Sequence, residues 1–165
     1  MRRFISAAIL TLTVSCLTAG QAKPQAPAAS NNEVKRFIGT WRLVTILVNG
    51  KIDPIHGARP TGLLFYDTTG HMAAQNMPDR LRPKFAGAEP TPEEAKSAIT
   101  GYNAYWGTFT VDAKVRTVTH HIEGNLIPTG VGVDAVRRYQ FDPNDRLILT
   151  PVQNPAMQLT WERIK

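Results

Sequence analysis

Two adjacent histidines and a glutamate, His120, His121 and Glu123, stand in the stretch Thr117 to Gly124 (TVTHHIEG) and carry the densest chemistry of the chain. Imidazole and carboxylate donors so close together could ligate a zinc-type ion or move a proton near neutral pH. The stretch reads as the second arm of a hairpin running from Gly107 to Gly124, and successive side chains of a strand point to opposite faces. Alternation divides the cluster: Val118, His120 and Ile122 share the apolar, core-facing side, and Thr117, Thr119, His121 and Glu123 share the other. One ion cannot readily take both histidines, so neither a metal nor another cofactor is expected. A slip of one residue in register would exchange His120 for His121.

The same alternation puts Phe109, Val111, Leu147, Leu149, Leu159 and Trp161 inside, and on a later strand it puts Arg137 inside with Tyr139 and Phe141. An unpaired buried charge is costly, so an inward arginine demands a carboxylate, a group of carbonyls or an anionic ligand. Arg137 is therefore the leading candidate for ligand contact, with His120 and Tyr139 beside it and Gln75, Asn76, Tyr102 and Tyr105 as further polar lining. A lone core histidine is more often a satisfied hydrogen-bonding residue than a catalyst. His120 with Arg137 or a tyrosine would nonetheless suffice for acid–base isomerisation, cyclisation or hydrolysis. Nucleophilic and nucleotide chemistry find no support, for the chain has neither a Gly-x-Ser-x-Gly elbow nor a glycine-rich phosphate loop.

These residues have to be positioned by strands. Leu43 to Val48 is an apolar, β-rich run that stops at Asn49-Gly50. Leu63 to Asp67 and His71 to Met77 flank Asp67-Thr68-Thr69-Gly70, a turn sequence, and so form a hairpin. Pro78 to Pro90 has no period and reads as a surface loop. Thr91-Pro92-Glu93-Glu94 is a capping box with proline at the first helical position. From it a helix is expected to run to Gly107, with Ala95, Ala98, Ile99, Tyr102, Tyr105 and Trp106 on one side, packed on the sheet or serving as a lid whose Tyr102 or Tyr105 hydroxyl reaches a cavity. After the central hairpin, Ala135 to Asp142 and Arg146 to Thr150 are joined by Asp142-Pro143-Asn144-Asp145, and Gln158 to Ile164 closes the chain. The expected fold is all-β: an eight-stranded antiparallel up-and-down barrel, with one helix inserted between strands 3 and 4. Closure removes the edges that an open sheet would expose.

The first 22 residues are expected to be an export signal. Arg2 and Arg3 precede the apolar run Phe4 to Leu17, and Gly20-Gln21-Ala22 supplies a small-x-small cleavage pattern. Residues 23–32, rich in alanine and proline, read as a disordered linker, and residues 33–165 as one domain, periplasmic or secreted. The single cysteine, Cys16, lies inside the signal, so membrane association is expected only if Cys16 is lipidated. Losing Arg2 and Arg3 takes the formal charge from +6 to +4 (6 − 2), and the remaining charges are interspersed rather than grouped. With no aromatic residues among a basic patch, nucleic acid is not an expected partner.

Gly39-Thr40-Trp41, Gly62 to Met77 (GLLFYDTTGHMAAQNM), Gly101 to Gly107 (GYNAYWG), Thr117 to Gly124, Val136 to Phe141 (VRRYQF) and Trp161-Glu162-Arg163 together resemble the bacterial lipocalin-like domain family. The resemblance spans essentially all of residues 33–165 and implies a calycin-type barrel. It is thinner towards the true lipocalins, in which a first-strand tryptophan packs under a late arginine. That likeness implies a cation–π contact of Trp41 with Arg163. The mid-chain helix and the lack of disulfides and of a Thr-Asp-Tyr segment set this chain apart from them. The expected function is binding of a small hydrophobic or amphipathic molecule, such as one bearing a carboxylate, by a monomer or weak dimer. The alternatives are an enzyme using His120 in the same cavity, and an interaction module whose barrel is filled with aromatic side chains.

Overall fold

The structure, a computed structural model, describes residues 31–165. The expected signal, Cys16 and residues 23–30 of the expected linker lie outside the described residues. The elements run α1 (Asn31–Phe37), β1 (Gly39–Val48), β2 (Lys51–Ile52), β3 (Thr61–Tyr66), β4 (His71–Met77), α2 (Pro92–Ile99), β5 (Asn103–Asp112), β6 (Thr117–Asn125), a single 3-10 turn (Pro128–Gly130), β7 (Asp134–Phe141), β8 (Leu147–Pro151) and β9 (Met157–Arg163). Each long strand pairs antiparallel with its neighbour, and β1 pairs with β9, so eight strands close the expected barrel. β2 is an appendage. Asn49 and Gly50 both take positive φ (52° and 73°) and fold Lys51–Ile52 back onto Leu47–Val48, as an Asn-Gly turn does. This short strand moves the count by one, so the inserted helix lies between β4 and β5.

One end of the barrel is plugged from within. Phe37, at the end of α1, sits edge-on to Tyr66, Tyr139 and Phe141 at centroid distances of 5.5, 4.9 and 5.3 Å. Trp41 Nε1 donates to the Phe37 carbonyl at 2.8 Å, which ties the helix to the first strand. Arg163 covers the Trp41 ring at 4.0 Å, the expected cation–π contact, and its Nη1 donates to the Ile38 carbonyl at 2.6 Å. Trp41, Trp161, Tyr66 and Leu147 are fully or almost fully buried at and above this plug. Truncating an aromatic residue in such packing costs about 3–5 kcal/mol.

The helix departs from its expected length. Its capping box is present, with Thr91 Oγ1 accepting from the Glu94 amide and Glu94 Oε2 from the Thr91 amide. It stops at Ile99, however, because Gly101 turns into the left-handed region at φ +72° and Asn103 already pairs with Asn76. Residues spaced for one face of a helix are thereby redistributed: Tyr105 points into the barrel, and Trp106 is 55% exposed on its outside. α2 buries no residue. Arg80 reaches the carbonyls of Ser97 and Thr100, and Arg82 that of Ala98, so two cations hold the negative end of the helix.

Candidate functional site

β6 delivers His120 to the middle of the barrel, between Phe109 on β5 and Ala135 on β7. It is fully buried. Its Nε2 meets the Tyr66 hydroxyl at 2.7 Å and its Nδ1 the Tyr105 hydroxyl at 3.0 Å, so side chains from β3, β5 and β6 converge on one imidazole. Burial pushes the His120 pKa well below its ordinary value, with the Arg137 charge and then His121 adding to the effect. Burial likewise pushes both tyrosine hydroxyls up, so all three groups are neutral. The neutral trio carries three N–H or O–H protons, two hydroxyls and one ring nitrogen. Two hydrogen bonds use two of them. One hydroxyl proton is left over, and neither hydroxyl has another partner among the described residues.

Arg137, on β7, lies opposite Val118 and Pro151, with its side chain on the inward face as alternation required. The guanidinium stands 5.6 Å from the Tyr105 ring centroid and donates through Nη1 to the Ala135 carbonyl at 2.9 Å. No carboxylate pairs with it among the described residues. Towards the plug, opposite Leu43 and Leu147, the buried Trp161 Nε1 also has no partner. The inward-facing Ala135, Arg137, Met157 and Leu159 are only partly buried, whereas Trp41, Tyr66 and Leu147 are sealed. The barrel is thus packed at the α1 end and reachable by solvent at the other.

The remaining candidate residues are not in this group. Tyr139 belongs to the plug. Its hydroxyl donates to Glu33 Oε1 at 2.9 Å, and burial, helped by that carboxylate, raises it to about 12. Gln75, Asn76 and Tyr102 line a separate cavity of about 660 Å³ on the flank of the barrel. It lies where the wall is weak, because β1 pairs with β3 only through Gly39–Arg42 and Leu63–Tyr66. Tyr102 donates to Gln75 Oε1 at 3.2 Å, outside the barrel, while the buried Asn76 leaves its Oδ1 without a partner. On the outer face His121 contacts Asp134 Oδ1 at 2.7 Å and Thr110 Oγ1 at 3.0 Å, while Glu123 points to solvent. The three residues of the histidine–glutamate stretch are therefore not brought together.

Sequence reasoning missed Tyr66. The signal was present, since alternation along Leu63–Asp67 puts Tyr66 on the same side as Leu64 and a hairpin then carries it to the barrel interior. Tyr105, expected on the helix, enters the site from β5 instead.

A family model described as a lipocalin-like domain matches residues 38–164. No curated protein matches the chain.

Proposed function

The chain belongs to the lipocalin-like domain family, and on that premise we propose that it is an exported binding protein that holds a small amphipathic anion, such as a carboxylate, in the solvent-reachable half of its barrel. One observation carries the reading. Two donors at the lumen lack a matching acceptor: the Arg137 guanidinium, which has no carboxylate, and a spare tyrosine hydroxyl proton. A guanidinium matches a carboxylate in a two-pronged, charge-assisted geometry, and a spare hydroxyl can add a further bond. Ala135, Met157 and Leu159 supply apolar wall for the rest of the molecule. The aromatic packing of the other half limits the ligand to a small one.

His120 is better suited to bracing than to catalysis. Both of its nitrogens are engaged, solvent does not reach it, and its depressed pKa keeps it unprotonated at neutral pH. A general base must instead titrate near its working pH and reach a substrate proton. The imidazole fixes the two tyrosines and thereby the direction of the spare proton.

The test is native mass spectrometry of protein purified from its own host, followed by titration with fatty and aromatic carboxylates. A co-purifying acid, or micromolar binding that Arg137→Gln weakens by about tenfold or more, supports the reading. Finding neither overturns it.

A further inference from the structure

The loops that join β1 to β3, β4 to β5, β6 to β7 and β8 to β9 all leave the barrel at its open end, as up-and-down connectivity requires. They are unusually apolar at their tips. Ile55, Leu81, Phe85, Ile127 and Val131 are exposed there, Leu81 at 87%. Isolated exposed apolar residues are ordinary, but a rim of them around one opening is not. The loops also touch one another: the Asp79 amide donates to the His56 carbonyl at 2.7 Å, and Ile55 lies against Gly101.

Charge identifies what the rim faces. Arg80-Leu81-Arg82-Pro83-Lys84-Phe85 alternates cations with exposed apolar side chains and contains no acid. Three of the acids around it are engaged: Asp79 pairs with Arg59, Asp53 with His56, and Glu94 accepts from the amides of Ala86 and Thr91. Glu89 follows in the stretch before α2, and Glu93, in the first turn of α2, lines a cavity together with Arg80, Arg82, Lys84 and Phe85, on the side of the segment away from the Leu81 tip's exposed face. Arg80 and Arg82 are also held by the helix carbonyls, so the segment is braced with Leu81 outermost. Apolar tips flanked by braced cations suit an interface where acyl chains lie beneath phosphate.

We propose that the open rim, led by Leu81 and Lys84, docks on an anionic lipid surface. Docking would bring the mouth of the barrel against the bilayer, where an amphipathic ligand could pass without crossing water. It needs no lipid on Cys16, and it stands whether or not the lumen binds a carboxylate.

The test is co-sedimentation of protein purified from its own host, in the processed form that the cell makes, with phosphatidylglycerol-rich and with pure phosphatidylcholine vesicles at low and high salt. Binding is expected only to the anionic vesicles and is expected to weaken with salt. Leu81→Asp and Lys84→Glu should each lower the partition coefficient about tenfold or more. Leu63→Asp, an equally drastic change on the barrel flank, should leave it unchanged. Because Leu81 and Lys84 pack on no core, urea midpoints should match across the set. Equal binding by wild type and both rim variants overturns the proposal. So does binding indifferent to lipid charge, or a dimer that Leu81→Asp dissolves without any effect on lipid, which would make a second copy the occupant.

Discussion

Replacing His120 with glutamine removes a titrating group from the centre of the barrel while leaving an amide to face Tyr66 and Tyr105. The buried imidazole has a pKa well below the ordinary 6.5, lowered first by burial and then by the Arg137 charge. In the unfolded chain it returns to the ordinary value. Below that value the unfolded chain therefore binds a proton that the folded chain refuses, and stability falls as pH falls. The contribution is complete above about pH 6.5 and declines by about 1.4 kcal/mol per pH unit beneath it. The decline continues down to the depressed folded pKa, below which both states carry the proton and the curve levels off. Carboxylates add an acid loss of their own. Asp67 is held low by the His71 amide and by Thr69, and Glu94 by the amides of Thr91 and Ala86, but both proteins share these groups. The difference between the two curves isolates His120. Urea unfolding followed by fluorescence of the buried Trp41 and Trp161 gives the stability at each pH. Glutamine is expected to lower stability at pH 8 and to flatten the acid limb. Parallel pH profiles for the two proteins would refute the picture of a sealed, neutral imidazole.

Arg137→Gln should weaken binding of a dansylated fatty acid by about ten- to a hundredfold, the worth of a charge-assisted hydrogen bond, with the urea midpoint nearly unmoved. Arg163→Met should cost about 1–3 kcal/mol of stability, since it removes the cation–π cover from Trp41 and strips the donor from the Ile38 carbonyl; a thermal melt reads it. Thr91→Ala deletes a cap worth about 1 kcal/mol to α2. Because that helix buries nothing, its amides should exchange faster with no change in the global midpoint.

Much of the architecture was legible because the strands alternate. Parity alone turns His120, Arg137, Val118 and Leu149 inward, and the cross-strand pairing of His120 with Phe109 and Ala135 agrees. The turns at Asp67–Gly70 and Asp142–Asp145 were legible from side chains that cap their own backbone, as Asp67 and Asp142 do here. The end of the helix was not legible. Apolar residues at Ala98, Ile99, Tyr102, Tyr105 and Trp106 satisfy a helical period, and from Tyr105 onward a strand alternation fits equally well. What decides between them is tertiary. Gly107 permits a bulge in which any Cβ would meet the His121 carbonyl oxygen at 1.9 Å, so that position is committed to pairing with β6. The flank cavity was equally hidden, because it arises where β1 bulges between Leu43 and Thr45 and ceases to follow β3.

The site lies at the boundary between two halves of the barrel, and the boundary gives it its character. Below it, Phe37, Trp41, Tyr66 and Phe141 leave no room for a ligand, and the dry packing makes any unmet polar group expensive. Above it, half-buried apolar walls admit solvent. A Tyr66–His120–Tyr105 chain spanning that step can satisfy its buried side internally, but the count of protons obliges it to present one donor elsewhere. Arg137 adds a charge without a carboxylate partner beside Tyr105. Water can meet both needs, yet a carboxylate meets both at once and brings apolar atoms that the wall can bury. The anion proposed as the ligand would answer both donors, whereas a cationic molecule would answer neither.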